Sequence, residues 1–288
     1  MDVLEYYQYF FSYYILIIIS YMETLLIVQQ IWTANKFRNF NYLIVCPKSG
    51  EAMAIDPLDY EQCLSVSKKN GWEITKILNT HEHWDHIGGN QQLIEKTGAQ
   101  LLAHQNAKDT IENIDIGLKA GDRIKIGKTI ELDVLDTPGH TMSHVCLFAN
   151  NDTPALFCGD TLFNAGVGHC KGGGNPEDLY ETFVNQLFHL PDHTKIYPGH
   201  DYWENNLKFT LDREPGNIKA QKMINRDQIK DPNNQLVSTL SIEKEVNTFF
   251  RLKNTDVIEN LRKIFPELSE NPGMKEVFLR LRELRNDW

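Results

Sequence analysis

Residues 80–90, THEHWDHIGGN, constrain this chain more than any other stretch. They follow the strand-like run ITKILN and pack His81, His83, Asp85 and His86 together, after which Gly88 and Gly89 let the chain turn sharply into a helix. Neutral imidazoles and a carboxylate are donors that zinc, iron and manganese accept. An isolated histidine usually belongs to a surface or a core, but side chains at this density point to metal.

These side chains alone do not complete two metal sites. Three later segments share one grammar, in which an apolar strand ends in a glycine turn that delivers a single donor. LDVLDTPGHT presents His140, ALFCGDTLF presents Asp160 and KIYPGHDY presents His200. His104, His144, His169, His189 and His193 lack this setting and are not expected to be ligands.

Around the donors, short runs such as NYLIVC, EAMAI, QLLAH, IELDVL, HVCLFA and PALFC carry the apolar pattern of strands, several of them alternating. YEQCLSVSKKN and NQQLIEKTG read as helices stopped by Gly71 and Gly98. The predicted fold class is α/β, with two sheets packed face to face and helices outside. After Gly199 the spacing of apolar residues becomes helical, punctuated by Pro215, Pro232, Pro266 and Pro272, so residues 199–288 are expected to form a separate all-α domain.

Lys and Arg number 29 against 39 Asp and Glu, and no dense basic run is present, which argues against a nucleic-acid partner. The five cysteines form no C-x-x-C pair and are expected to be reduced. Residues 1–21 do not fit the rest. FFSYYILIIISY, residues 10–21, falls short of the roughly 20 apolar residues of a membrane span, and no Lys or Arg precedes it as in a secretory signal. We read residues 1–21 as an upstream extension and Met22 as the start of the working protein; a weak membrane anchor or an added helix are the alternatives.

THEHWDH followed by PGHT, CGDTLF and PGHDY resembles the metallo-β-lactamase-fold hydrolases. The resemblance implies an αββα sandwich holding two divalent metal ions, zinc first and iron or manganese as alternatives. His81, His83 and His140 would hold one ion, Asp85, His86 and His200 the other, with Asp160 bridging both. Lactamases often serve the second metal with a cysteine, whereas Cys158 is expected to face the other side of its strand. Within that superfamily, GHDYWENNLKF, REPGN, STLSIEKEVNTFFR and LRELRNDW resemble glyoxalase II, the hydroxyacylglutathione hydrolases, over nearly everything after Met22.

That closer resemblance implies a catalytic domain over residues 22–198 and a helical, glutathione-binding domain over 199–288. It implies a cytoplasmic, monomeric thioesterase that converts S-(2-hydroxyacyl)glutathione, typically the D-lactoyl thioester, to glutathione and a 2-hydroxy acid, the second step of methylglyoxal detoxification. Tyr202, Arg282 and Arg285 occupy glutathione-contacting positions, and arginines pair with carboxylates bidentately. In AGVGHCKGGGNPEDLY the chain departs from the family: His169 takes a basic position and Lys171 replaces an aromatic one, leaving two cationic contacts. The expected nucleophile is a hydroxide shared by the metals, oriented by Asp85 and Asp160. A lactone or other thioester hydrolase, a persulfide dioxygenase and a non-catalytic metal-binding module are the rival readings.

Overall fold

The run FNYLIV, Phe40–Val45, is buried along its whole length, with Tyr42 and Ile44 in one apolar cluster and Leu43 and Val45 in another. A strand with that two-residue alternation and two apolar faces needs a layer on each side. The computed structural model, which describes residues 26–226 and 237–288, supplies both layers. The apolar segment at residues 1–21 and Pro232 lie outside the described residues.

The first sheet runs in the order β1 (Ile27–Trp32), β2 (Phe40–Val45), β3 (Glu51–Ile55), β4 (Glu73–Leu78), β5 (Gln100–His104) and β6 (Ile116–Leu118). Its strands are antiparallel up to β3 and parallel from β3 onward. The second sheet begins with β7 (Arg123–Ile126), β8 (Ile130–Asp136), β9 (Val145–Ala149) and β10 (Ala155–Gly159). The chain then leaves it as a two-stranded ribbon, β11 (Leu162–Phe163) and β12 (Gly166–Val167), before β13 (Lys195–Pro198) and β14 (Ser238–Thr239) complete its other edge.

Between the sheets, Tyr42, Ile44, Met53, Ile55 and Leu78 meet Leu132, Val134, Leu147, Phe157 and Tyr197. Outside the first sheet, helices Tyr60–Asn70 and Asn90–Thr97 bury Cys63 and Leu93. Each stops at a glycine in the left-handed region, Gly71 and Gly98, both at φ 69°. Outside the second sheet, Phe148, Leu156, Cys158 and Ile196 share one cluster with Phe183 of helix Pro176–Asn185 and with Phe249, Leu261, Phe278 and Leu281 of the C-terminal segment. The fold is the αββα sandwich with a helical tail. No helix among the described residues is long and apolar enough to cross a membrane.

The tail begins with helices Trp203–Arg213 and Ile218–Arg226, separated at Pro215 as expected. The stretch from Ser238, read as helical throughout, instead opens with β14, which pairs antiparallel with β13 through Ile196 and Ser238. The reason is the edge of β13, whose free backbone groups need a partner, while Thr239 also accepts from the Ile242 N–H to start helix Leu240–Val246. Helices Thr255–Ile264 and Met274–Arg285 complete the tail, which therefore shares both a sheet and a core with the sandwich.

One ion pair between a buried carboxylate and a partly buried arginine ties the tail together. Glu214, only 4% exposed, accepts from Arg251 Nε and Nη2 at 2.6 Å each, from Asn217 at 3.0 Å and from Asn254 at 3.1 Å. Removing the arginine leaves a buried charge without its partner, so Arg251→Met is expected to cost about 3–5 kcal/mol in urea unfolding. A loss the size of a surface pair, under about 1 kcal/mol, would contradict this account of the pair.

Candidate metal centre

The donors converge because strand ends converge. β10 and β13 lie parallel and adjacent, so Asp160 after Gly159 and His200 after Gly199 emerge at one edge. The connection from β8 to β9 reaches the same edge and carries His140. β4 ends there too, its Thr80 carbonyl accepting from the Val145 N–H at 2.8 Å, and the Phe40 N–H closes the other side by donating to the Gly199 carbonyl at 2.8 Å. All seven predicted side chains meet here in three overlapping groups: His81, His83 and His140; His81, His86 and Asp160; Asp85, His86 and His200. Within each group the donor atoms lie within 4.8 Å of one another.

The glycine before His200 is there for space. A Cβ on Gly199 would sit 2.3 Å from Asp160 Oδ1 and 2.9 Å from His86 Cε1. The glycine before Asp160 is there for conformation, since Gly159 has φ 44°.

Each imidazole has one nitrogen tied to an acceptor, and those partners define the tautomers. His86 Nδ1–H donates to Asp56 Oδ2 at 2.9 Å, His200 Nδ1–H to the Phe37 carbonyl at 2.7 Å and His140 Nδ1–H to the His169 carbonyl at 2.6 Å. His83 Nε2–H donates to the Gly172 carbonyl at 3.1 Å. His81 Nδ1–H donates to Thr80 Oγ1 at 3.0 Å, because that hydroxyl spends its own proton on Asp56 Oδ2 at 2.7 Å.

The opposite nitrogen of every ring therefore presents a lone pair to the centre. His86 Nε2 and His200 Nε2 face each other at 3.2 Å, and His83 Nδ1 faces His81 Nε2 at 3.1 Å and His140 Nε2 at 3.0 Å. Lone pairs this close repel unless a cation lies among them. Asp160 Oδ1, buried and without a hydrogen-bond partner, makes the same demand. Asp160 stands between the groups, with Oδ2 3.2 Å from His200 Nε2 and 3.6 Å from His140 Nε2, and Oδ1 3.4 Å from His86 Nε2. The residues fit divalent metal ions.

The charges agree. Burial lowers the His81 and His140 pKa values, the latter to about 3, so both rings stay neutral. Burial also disfavours a charged His86, but Asp160, Asp56 and Asp85 together outweigh it and raise its pKa to about 9. The same carboxylates that favour positive charge on His86 favour a metal cation beside its Nε2.

A family model described as the metallo-beta-lactamase superfamily matches residues 47–200, and one described as hydroxyacylglutathione hydrolase C-terminus matches residues 201–288. A hydroxyacylglutathione hydrolase from Nitrosococcus oceani is 60% identical over 263 residues, which cover 91% of this chain and 100% of that protein. The chain belongs to the hydroxyacylglutathione hydrolase family. A cytoplasmic hydroxyacylglutathione hydrolase of Arabidopsis thaliana is 34% identical, over 86% of this chain and 93% of its own length. Among solved structures, ETHE1 from Myxococcus xanthus shares the fold with a TM-score of 0.64, over 90% of this chain and 91% of that one, at 24% identity.

The positions that the family resemblance assigns to substrate border this centre. The half-buried Tyr202 ring stacks on His200, with centroids 4.9 Å apart and planes 5° off parallel, and burial keeps its hydroxyl protonated. Arg285 Nε and Nη2 both donate to Asn206 Oδ1, at 3.3 and 3.0 Å. Arg282 has turned inward. Three residues span about 300° of helix, so the two arginines are offset, and Arg282 sides with buried Phe278 and Leu281. Its Nη1 donates to the Val167 and Gly168 carbonyls at 3.2 and 3.0 Å, and burial lowers its pKa to about 10, leaving it a cation. His169 is exposed with its ring 5.0 Å from that of His140, and exposed Lys171 donates to the Asn286 carbonyl at 3.3 Å.

Three contributors escaped the sequence reading. Asp56 accepts from Thr80 and His86, Asn39 Nδ2 donates to Asp85 Oδ2 at 3.1 Å, and His144 Nε2 accepts the Asp160 N–H at 3.2 Å while its ring stacks on His81. The one available signal was that Asp56 ends an apolar strand, as the donors do. Cys158 points away as expected, its thiol donating to the Leu162 carbonyl at 3.0 Å.

Gly199→Ala tests the geometry directly. The added methyl is expected to displace Asp160 and speed loss of metal to a chelator by about tenfold or more with the far-ultraviolet spectrum unchanged. Retention equal to that of the unsubstituted protein would contradict the placement of Asp160.

Proposed function

We propose that the chain hydrolyses S-(2-hydroxyacyl)glutathione, typically the S-D-lactoyl thioester, to glutathione and a 2-hydroxy acid. The observation that carries this reading is a complete seven-donor centre joined to a tail that matches the hydroxyacylglutathione hydrolase C-terminus. His81, His83 and His140 would hold one divalent cation and Asp85, His86 and His200 a second, with Asp160 shared. Five imidazoles and two carboxylates, without a thiolate, favour zinc, and iron or manganese suit the same donors. When bound, such cations supply Lewis acidity that lowers the pKa of water from 15.7 to about 7 and polarises a carbonyl.

The chain's own groups do the rest. Asp85, steadied by Asn39, and Asp160 orient the attacking water. No imidazole of the centre is spare as a general acid, because each keeps its N–H on an acceptor. The reaction needs none: the leaving thiolate has a conjugate acid with a pKa of about 8.5. Tyr202 and Arg285 bind the glutathione part, with Lys171 adding positive charge on the facing loop; His169, expected to be a second cation, is instead a neutral contact there, because desolvation lowers its pKa. On this reading every hydrolytic group except His200 belongs to residues 22–198, and most glutathione contacts belong to residues 199–288. Five unpaired cysteines support a reducing, cytoplasmic setting.

Steady-state assay of S-D-lactoylglutathione with the full chain, with metal analysis on the same sample, tests the proposal. Turnover that disappears on chelation and returns with zinc is expected, and no turnover by fully metallated protein overturns it. Arg285→Ala, which removes a contact remote from the chemistry, is expected to raise KM about tenfold or more while kcat changes little. An unchanged KM would remove Arg285 from the binding site.

A further inference from the structure

The loop between Asp160 and His169 has little pairing of its own beyond the two-residue strands β11 and β12. At its turn Ala165 has φ 57°, a backbone conformation that side chains with a Cβ disfavour. Its backbone is instead held almost residue by residue by side chains of the tail. Asn206 Nδ2 donates to the Asn164 carbonyl at 2.9 Å, the Ala165 N–H donates to Glu243 Oε2 at 2.7 Å, and Asn247 Nδ2 donates to the Gly166 carbonyl at 3.1 Å. Arg282 then takes the Val167 and Gly168 carbonyls. All four of these side chains are buried, none more than 3% exposed.

Each end of this loop governs one donor of the metal centre. At the start stands Asp160 itself, and Gly168 folds back so closely that a Cβ there would lie 1.9 Å from the Asp160 carbonyl oxygen and 2.8 Å from His140 Nδ1. At the end, the His169 carbonyl accepts from His140 Nδ1–H at 2.6 Å, which fixes that ring's tautomer and aim.

We propose that Asn206, Glu243, Asn247 and Arg282 are positioning residues for the reaction: they set the backbone of residues 164–168 and, through it, Asp160 and His140. The tail thus has a second task beside binding glutathione, and the proposal rests on the ligand assignment above. Glu243 shows the specificity of the arrangement. It receives three donors, the Ser238 hydroxyl at 2.6 Å, the Ala165 N–H and Asn247 Nδ2 at 3.1 Å, which suits an acceptor-only carboxylate. A glutamine can keep its oxygen on the Ala165 N–H and Asn247 Nδ2 and turn its NH2 group to the Ser238 hydroxyl, which has the Thr239 carbonyl at 3.3 Å as another acceptor, whereas alanine loses all three contacts.

The test compares Glu243→Ala, Glu243→Gln and Asn247→Ala with Leu261→Ala, a cavity-forming change in the same tail that leaves every loop hydrogen bond in place. Melting temperature, rate of metal loss to a chelator, kcat and KM are measured on the full chain, well below each melting temperature. Glu243→Ala and Asn247→Ala are expected to lose metal roughly ten- to a hundredfold faster and to lose kcat in step, with KM within about threefold, while Glu243→Gln restores most of the retention. Leu261→Ala is expected to lower the melting temperature yet keep metal retention and kcat within about twofold of the unsubstituted protein. Unchanged metal retention in Glu243→Ala and Asn247→Ala, or equal loss in Leu261→Ala, overturns the proposal. If Glu243→Ala does not yield folded protein, Asn247→Ala decides by the same criteria. Metal loss is read without substrate, so failure of the thioesterase assay and failure of this proposal remain separate outcomes.

Discussion

Five imidazole lone pairs and two carboxylates crowd one edge of the sandwich, and every other feature of the site serves to keep them there. Each ring would relieve that crowding by rotating. The acceptors at Asp56, Thr80, Phe37, His169 and Gly172 prevent it by holding the far nitrogens as donors. The energy for this arrangement comes from the cores on either side of the sheets, which anchor the strand ends. Cations then turn the repulsion into coordination.

The same logic explains why the tail cannot be regarded as an appendage. Its strand β14 extends the second sheet, its apolar residues continue that sheet's outer core, and its buried polar groups hold the loop that runs from Asp160 to His169. The proposed substrate contacts and metal donors therefore share a scaffold. Tyr202 makes the connection locally, stacking on His200 at the point where β13 gives way to the first tail helix.

What could be read from residues alone follows from how local each signal is. His81, His83, Asp85 and His86 were legible by their density after one strand, and His140, Asp160 and His200 because each follows a glycine at the end of an apolar strand, a grammar that steric contact at Gly199 and backbone conformation at Gly159 explain. The two-layer sandwich was legible in alternating runs such as FNYLIV. Asp56, Asn39 and His144 were not, because their partners lie far off in sequence and nothing next to them marks the encounter. Arg282 illustrates the limit of spacing arguments. The motif placed it beside Arg285, but the 60° or so between positions three apart decided that one arginine would face the core. β14 was hidden because its pairing depends on an edge that exists only after the second sheet has formed.

The central proposal is that this edge holds two cations with Asp160 between them. Anomalous diffraction at the zinc absorption edge, from crystals of the zinc-loaded protein, tests it most directly. The account predicts two peaks, one among His81, His83 and His140 and one among Asp85, His86 and His200, with the Asp160 carboxylate touching both. A single peak at full loading, or a second peak away from Asp160, would contradict it.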